Sequence, residues 1–429
     1  MFRRTGTAGL LVMALAACAG GGGGPAGAAP ATRPEVAPPS TVQQSSSAGS
    51  EGSGLSRVLS KMSVEEKVGQ LFMPVLYGTG PGSVSGENQA RYGAQTPAKV
   101  VAKYHLGGVI LFPANIQGVG QVVDLTNGLQ QASKDVPLLI GTDQENGLVS
   151  RMGALMTDFP GASVIGSTKD TAIARSVARA TGEELRAVGV NLDFAPVADV
   201  NIDPRNPVIG KRAFGDQPGE VAKMVAASVK GFNDAKVAAT AKHFPGHGDT
   251  NIDSHTGLPV IKHTKEQWER IDAPPFKAAI AAGVDAVMSA HIVFPKLDPS
   301  RDPATLSKPI LTGLLRNKLG FQGVISTDAL NMDGVRKKYS DAEIPVRAIQ
   351  AGADLLLMPN NLPVAYNAVL AAVKSGKISP QRLDESVTRL LKLKQARGLL
   401  PKAPVASAAQ AAKVLRSAEH RKVAARAAR

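Results

Sequence analysis

Between residues 55 and 400 short apolar runs alternate with longer stretches in which apolar residues recur every three or four positions. That is the rhythm of a strand followed by an amphipathic helix. It predicts strands at 71–75, 108–112, 138–143, 191–197, 237–243, 286–292, 323–328 and 353–358, with helices at 171–188, 219–232, 309–319 and 364–374 among those between them. A capping box, Ser63-Val64-Glu65-Glu66, opens a helix just before the first strand: the Ser63 hydroxyl takes a first-turn amide and the Glu66 carboxylate takes the amide of Ser63. Strand followed by helix, eight times over, predicts an α/β chain of the (β/α)8 TIM-barrel class. An open doubly wound sheet is the lesser alternative, because no Gly-rich phosphate turn follows the first strand.

The polar residues interrupting this pattern are not scattered. Asp143, Asp193, Lys242 with His243, His291 and Asp328 each fall at or near the C-terminal end of a different predicted strand, where barrel enzymes place their chemistry. Any single one, Asp143 or Asp328 included, could merely cap a helix. The set as a whole points to a site. Its densest part is residues 242–255, which carry Lys242, three histidines (His243, His247, His255) and two aspartates (Asp249, Asp253) directly behind the apolar run 237–241. Pro245, Gly246 and Gly248 prevent a helix here, so the segment must leave its strand as an irregular loop whose polar groups can converge.

Composition changes the picture chiefly at the ends. Arg3 and Arg4, an apolar run from Ala8 and then Leu15-Ala16-Ala17-Cys18 read as a signal peptide (1–18), the apolar stretch being shorter than the roughly 20 residues a bilayer needs. The segment resembles a bacterial lipobox, implying lipidation of Cys18 and an extracytoplasmic, membrane-anchored location. Cys18 is the sole cysteine, so no disulfide framework or thiolate zinc site is expected. Residues 19–54 are Gly, Ala, Pro and Ser with almost no large apolar side chains; they read as a disordered tether holding the folded part about 30–35 Å from the membrane. The formal charge of +14 is concentrated at the ends, with seven Lys and Arg against Glu419 in 402–429, leaving about +6 on the rest of the chain. No basic stripe with interleaved aromatics appears, so nucleic acid is not an expected partner. Residues 401–429 are Ala-rich and basic, a surface helix or a frayed tail, with 55–400 as the catalytic domain of an expected monomer.

The loop Lys242-His243-Phe244-Pro245-Gly246-His247-Gly248-Asp249-Thr250, followed by Asp253-Ser254-His255, resembles the defining motif of glycoside hydrolase family 3 in its β-N-acetylglucosaminidase branch. Matches continue at Asp143-Gln144-Glu145 with Arg151, Arg212-Ala213-Phe214-Gly215, Ser326-Thr327-Asp328 and Arg382-Leu383-Asp384-Glu385-Ser386-Val387, so the resemblance spans about residues 59–400. It implies a retaining glycosidase with Asp328 as nucleophile, His255 as general acid/base and Asp253 as the carboxylate orienting it. Asp143, Arg151, Arg212, Lys242 and His243 are implied to hold the sugar. No cofactor or metal is implied. The substrate implied is a terminal β-linked N-acetylglucosamine, with peptidoglycan fragments as its source. Two departures, Asn146-Gly147-Leu148 for the family's two glycines and arginine and Ala329 for an acidic residue after the nucleophile, bear on substrate preference rather than on chemistry.

The residue types suit the roles independently. Retention needs a carboxylate to attack the anomeric carbon and a second group that first protonates the leaving oxygen and then activates water. A histidine titrates near neutral pH and can do both, and Asp253 can favour its proton. Asp253 and His255 are two apart, so both point the same way from an extended loop. A metallohydrolase built on His243, His247, His255 and Asp328 is the rival class, but His243 and His247 suit zinc at i, i+4 only on a helix, which Pro245-Gly246 forbids.

Overall fold

A computed structural model of the protein describes residues 47–134, 136–254 and 257–429. Cys18, the tether up to residue 46, and His255 therefore lie outside the described residues. Every predicted strand position holds a strand, all but β7 trimmed to a pairing core: β1 (Phe72–Met73), β2 (Gly108–Ile110), β3 (Leu139–Thr142), and, after a small hairpin of β4 (Gln144–Asn146) and β5 (Val149–Ser150), β6 (Leu192–Asp193), β7 (Ala238–Phe244), β8 (Ala286–Ser289), β9 (Val324–Ser326) and β10 (Leu356–Leu357). Pro74 and Pro196 carry no amide hydrogen and end the ladder early at β1 and β6.

Six strands form one parallel sheet in the order β2-β3-β6-β7-β8-β9, and β1 pairs β10 in parallel at Phe72–Leu356 and Met73–Leu357. Isolated parallel bridges join Val75 to Ile110 and Ser326 to Leu355, carrying β1 toward β2 and β10 toward β9. Ile140, Leu192, Ala239, Val287, Ile325 and Leu356 are buried, as parallel strands covered on both faces require. The helices Thr171–Ala187 and Pro218–Asp234 pack on each other outside the sheet, and Pro309–Lys318 is wound as a π-helix. The predicted capping box is formed: the Glu66 amide donates to Ser63 Oγ at 3.2 Å and the Ser63 amide to Glu66 Oε2 at 2.7 Å.

The N-terminal end departs from expectation, and at the C-terminal end the helix reading holds over the frayed tail. A helix spans Ser47–Lys61, so the tether boundary drawn at residue 54 falls inside it. Leu55, Val58, Leu59 and Met62, spaced three and four apart, pack against the core, and the helix that carries the first three begins upstream in the Gly-rich stretch assigned to the tether. At the other end, the helices Ala408–Val414 and Ala418–Ala427 are docked, not frayed. Buried Glu184 takes hydrogen bonds from the Arg416 amide at 2.9 Å and from His420 Nδ1 at 2.7 Å, tying this segment to the helix Thr171–Ala187. Among the described residues no helix is long and apolar enough to cross a membrane.

Candidate active site

The C-terminal ends of β3, β7 and β9 and the loops that follow them enclose a cavity of about 510 Å³, within the range of small-molecule sites. Asp143, Arg151, Arg212, Lys242, His243, Asp253 and Asp328 all line it. A second cavity, of about 460 Å³, lies beside the C-terminal segment. It shows no comparable convergence, because its Glu183, Asp234 and Arg397 are engaged in ion pairs with Arg179, Arg175 and Asp285.

One wall of the first cavity is a chain of alternating charge. Lys242, buried near the end of β7, places Nζ 2.7 Å from Asp143 Oδ1 and 2.7 Å from Glu145 Oε1. Glu145 in turn grips Arg212 with both oxygens, at 2.7 and 2.8 Å. Burial alone would raise the Glu145 pKa, but Lys242 and Arg212 overcome it and hold the carboxylate at about 2. Burial likewise works to strip Lys242 of its proton, and Asp143 and Glu145 outweigh it, raising the ammonium pKa. Lys242, Arg212 and Glu145 thus stay charged, and together with Asp143 they line the cavity wall.

The loop after β7 is built around Asp199. Its Oδ1 accepts the amides of both His243 (3.2 Å) and His247 (2.7 Å), and its Oδ2 accepts His243 Nδ1–H at 2.7 Å. His243 Nε2 is thereby left facing Arg212 Nη2 at 3.4 Å and the cavity. The glycines are dictated by contact: a Cβ on Gly248 would sit 1.6 Å from the Val200 carbonyl oxygen, and Gly246, at φ +136, would drive one to 2.5 Å from Asp272 Oδ1. Burial presses His247 down to about 4 against the attraction of Asp199, so the ring is neutral at pH 7. Its Nε2 meets Ser254 Oγ at 3.0 Å, holding the stretch that contains Asp253 beside the cavity.

Asp328 follows β9 and lines the same cavity. Burial acts to raise its pKa, but His291, His243, the Ala329 amide and Lys242 outweigh that and lower it, so the carboxylate is ionised. The Ala329 amide donates to Asp328 Oδ1 at 2.7 Å, while His291 Nε2–H donates to the Ala329 carbonyl at 2.9 Å and fixes the turn. Arg151 sets its guanidinium 5.5 Å from the centroid of the Phe112 ring, and its amide donates to the Asp143 carbonyl. Asp193 lies beneath this layer, fully buried, its pKa pushed well up by burial and its Oδ2 without a partner among the described residues.

Every described residue singled out as catalytic or sugar-binding from the sequence thus borders one cavity. Asp249 points away, to His263. Glu145 and Asp199 were not assigned roles from the sequence. Glu145 lay in plain view in the Asp143-Gln144-Glu145 run, and Asp199 follows Asp193 by one turn of irregular chain beyond Pro196. Among the described residues no three His, Cys, Asp or Glu side chains converge as a metal site would need.

Residues 63–393 match the profile of the glycosyl hydrolase family 3 N-terminal domain. The β-hexosaminidase A of Pseudoalteromonas piscicida is 40% identical over 325 residues, 69% of this chain and 54% of that protein, so the chain spans about half of that relative's length. The structure of a family 3 β-N-acetylglucosaminidase from Paenibacillus sp. str. FPU-7 superposes with a TM-score of 0.79 at 42% identity, covering 85% of this chain and 68% of that one. A β-glucoside phosphorylase, BglX, gives the same TM-score at 28% identity over 87% of this chain and 66% of its own. With a family match across most of its length and the same fold in solved relatives, the chain belongs to glycosyl hydrolase family 3.

Proposed function

We propose that the protein is a retaining exo-glycosidase that releases terminal β-linked N-acetylglucosamine, with peptidoglycan fragments as its source. The observation carrying this reading is Asp328: an ionised carboxylate in a sugar-sized cavity whose other walls present Asp143, Lys242, Arg212 and His243. An Asp328 oxygen attacks the anomeric carbon as the glycosidic C–O bond breaks, and His255, oriented by Asp253, gives its proton to the departing oxygen. The neutral imidazole then takes a proton from water as that water displaces Asp328 from the sugar. Asp143, Arg151, Arg212, Lys242 and His243 hold the sugar hydroxyls, since charged forks and ammonium groups form the stronger hydrogen bonds. The names of the Pseudoalteromonas and Paenibacillus relatives support the amino-sugar preference.

On the same reading the eight parallel strands form a (β/α)8 barrel with the cavity at its C-terminal mouth, a reading that the bridges from β1 to β2 and from β9 to β10 support. Lipidation of Cys18 tethers the enzyme, as a monomer with no nucleic-acid partner, to the outside of the cytoplasmic membrane through residues 19–46. The resemblance to a β-glucoside phosphorylase favours one second reading, in which phosphate replaces water; a histidine acid/base repels that anion less than a carboxylate would.

One experiment separates these readings: turnover of nitrophenyl N-acetyl-β-glucosaminide against nitrophenyl β-glucoside, each with and without phosphate. The proposal expects preference for the amino sugar with free N-acetylglucosamine as product. A rate that requires phosphate and yields sugar 1-phosphate establishes the second reading, and no turnover of either substrate overturns both.

A further inference from the structure

We propose that His263, which touches neither the cavity nor its sugar-binding wall, is a positioning residue: by bridging Asp249 and Asp272 it anchors the loop that carries Asp253 and so sets the rate of proton transfer to the leaving group. The inference rests on the reading of Asp253 and His255 as the acid/base pair.

The bridge is short on both sides. His263 Nδ1 lies 2.6 Å from Asp272 Oδ2, and Nε2 lies 2.8 Å from Asp249 Oδ2. The imidazole and Asp272 are almost wholly buried, whereas the Asp249 side chain is 35% exposed. Carboxylates accept and do not donate when ionised, so a ring that satisfies one on each side must carry a hydrogen on both nitrogens. The charged ring is favoured accordingly: the Asp272 hydrogen bond, against the cost of burial and with help from Asp249, raises the His263 pKa.

Around this bridge the turn 245–249 is fastened to the segment 263–272 at three places. Trp268 Nε1–H donates to the Pro245 carbonyl at 2.9 Å, Gly246 stands close over Asp272, and Asp249 reaches His263. On the far side Ser254 is held by His247 Nε2 at 3.0 Å. Asp253 thus sits between two anchors, Asp249 four residues before it and Ser254 directly after. Loss of the first loosens the hold on residues 250–253 at one end, and loss of His263 itself also leaves Asp272, whose Oδ1 already lacks a partner among the described residues, buried without its cation.

The test compares kcat/KM for aryl N-acetyl-β-glucosaminides with good and poor leaving groups in the full chain and in Asp249→Ala, Asp249→Asn, His263→Ala and Asp253→Asn. An acid displaced from its working position harms poor leaving groups selectively. Asp249→Ala and His263→Ala are expected to lose about 10- to 100-fold on poor leaving groups and little on activated ones, as small misplacements of a catalytic group do. Asp249→Asn keeps a hydrogen-bond acceptor for Nε2 and is expected to recover most of the loss. Should Asp253→Asn show the leaving-group dependence while Asp249→Ala does not, the anchor is refuted and the acid/base reading stands. Should Asp253→Asn show none, the acid/base reading falls and the anchor with it. If His263→Ala fails to fold, the partly exposed Asp249 pair of variants still decides.

Discussion

Asp199 and His243 are joined twice: the carboxylate takes the imidazole Nδ1–H at 2.7 Å through one oxygen and the amide of the same residue at 3.2 Å through the other. The ring is therefore fixed in both plane and tautomer, with Nε2 turned to Arg212 and the cavity. Asp199→Asn keeps the shape but lets an amide N–H face Nδ1, which forces the hydrogen onto Nε2, against the guanidinium. A fall in kcat/KM of about 10- to 100-fold is expected, with the loss largely in KM. A variant with unchanged KM would show that His243 does not contact the sugar through Nε2.

On the proposed mechanism Asp328→Asn or Asp328→Ala abolishes turnover while circular dichroism and the melting temperature stay close to wild type. An N-acetylglucosaminide with fluorine at C5 and a good leaving group should label Asp328 covalently, because the fluorine slows both steps while the leaving group keeps the first one fast. Mass spectrometry of the labelled peptide locates the bond, and a label on any other carboxylate removes the assignment.

Most of the fold was legible because its signals are local. The period of the apolar runs places all eight strands, and Lys242 to Gly248 announces an irregular loop by composition alone. What was not legible depends on partners far along the chain. Asp199 reads as an ordinary loop acid until its contact with His243, 44 residues on, is known. His420 meets Glu184 across 236 residues, so nothing within 401–429 distinguishes a docked helix from a frayed end. The sequence could place Asp249 and Asp253 on one loop but not show that Asp253 lines the cavity while Asp249 turns away to His263.

Lys394 offers a test of stability separate from activity. It is fully buried on the helix Pro380–Ala396, with Nζ donating to Gln70 Oε1 at 2.7 Å, and burial lowers its pKa from the ordinary 10.5 to about 7. A lysine with a depressed folded pKa binds protons less readily when folded, so its cost to stability grows as pH falls from about 10 to 7 and is then constant. At roughly 1.4 kcal/mol per pH unit the cost is several kcal/mol at pH 6 and about half that at pH 9. Lys394→Met should therefore raise the melting temperature at pH 6, less the loss of the Gln70 contact, and raise it less at pH 9. A gain independent of pH would mean that the ammonium is not desolvated as its burial indicates.

Glu145 makes the sharpest prediction about the charged wall, because one carboxylate holds Lys242 and the Nε and Nη2 hydrogens of Arg212. Glu145→Gln leaves the Nε–Nη2 edge of Arg212 with one neutral acceptor and gives Lys242 wholly to Asp143, so both sugar-holding cations lose their direction. KM should rise about tenfold or more, in keeping with the loss of a bidentate charged contact, while kcat falls less. The same carboxylate also shapes the acid limb of stability. With its folded pKa near 2 and its ordinary value 4.5, Glu145 stabilises the fold fully above pH 4.5 and ceases to do so as pH falls toward 2, a contribution of about 3 kcal/mol. Wild type should lose stability steeply across that window, whereas Glu145→Gln, already weakened at pH 7, should show a shallower decline. Parallel pH curves for the two proteins, measured by urea unfolding, would mean that Lys242 and Arg212 do not depend on this carboxylate for their charge balance.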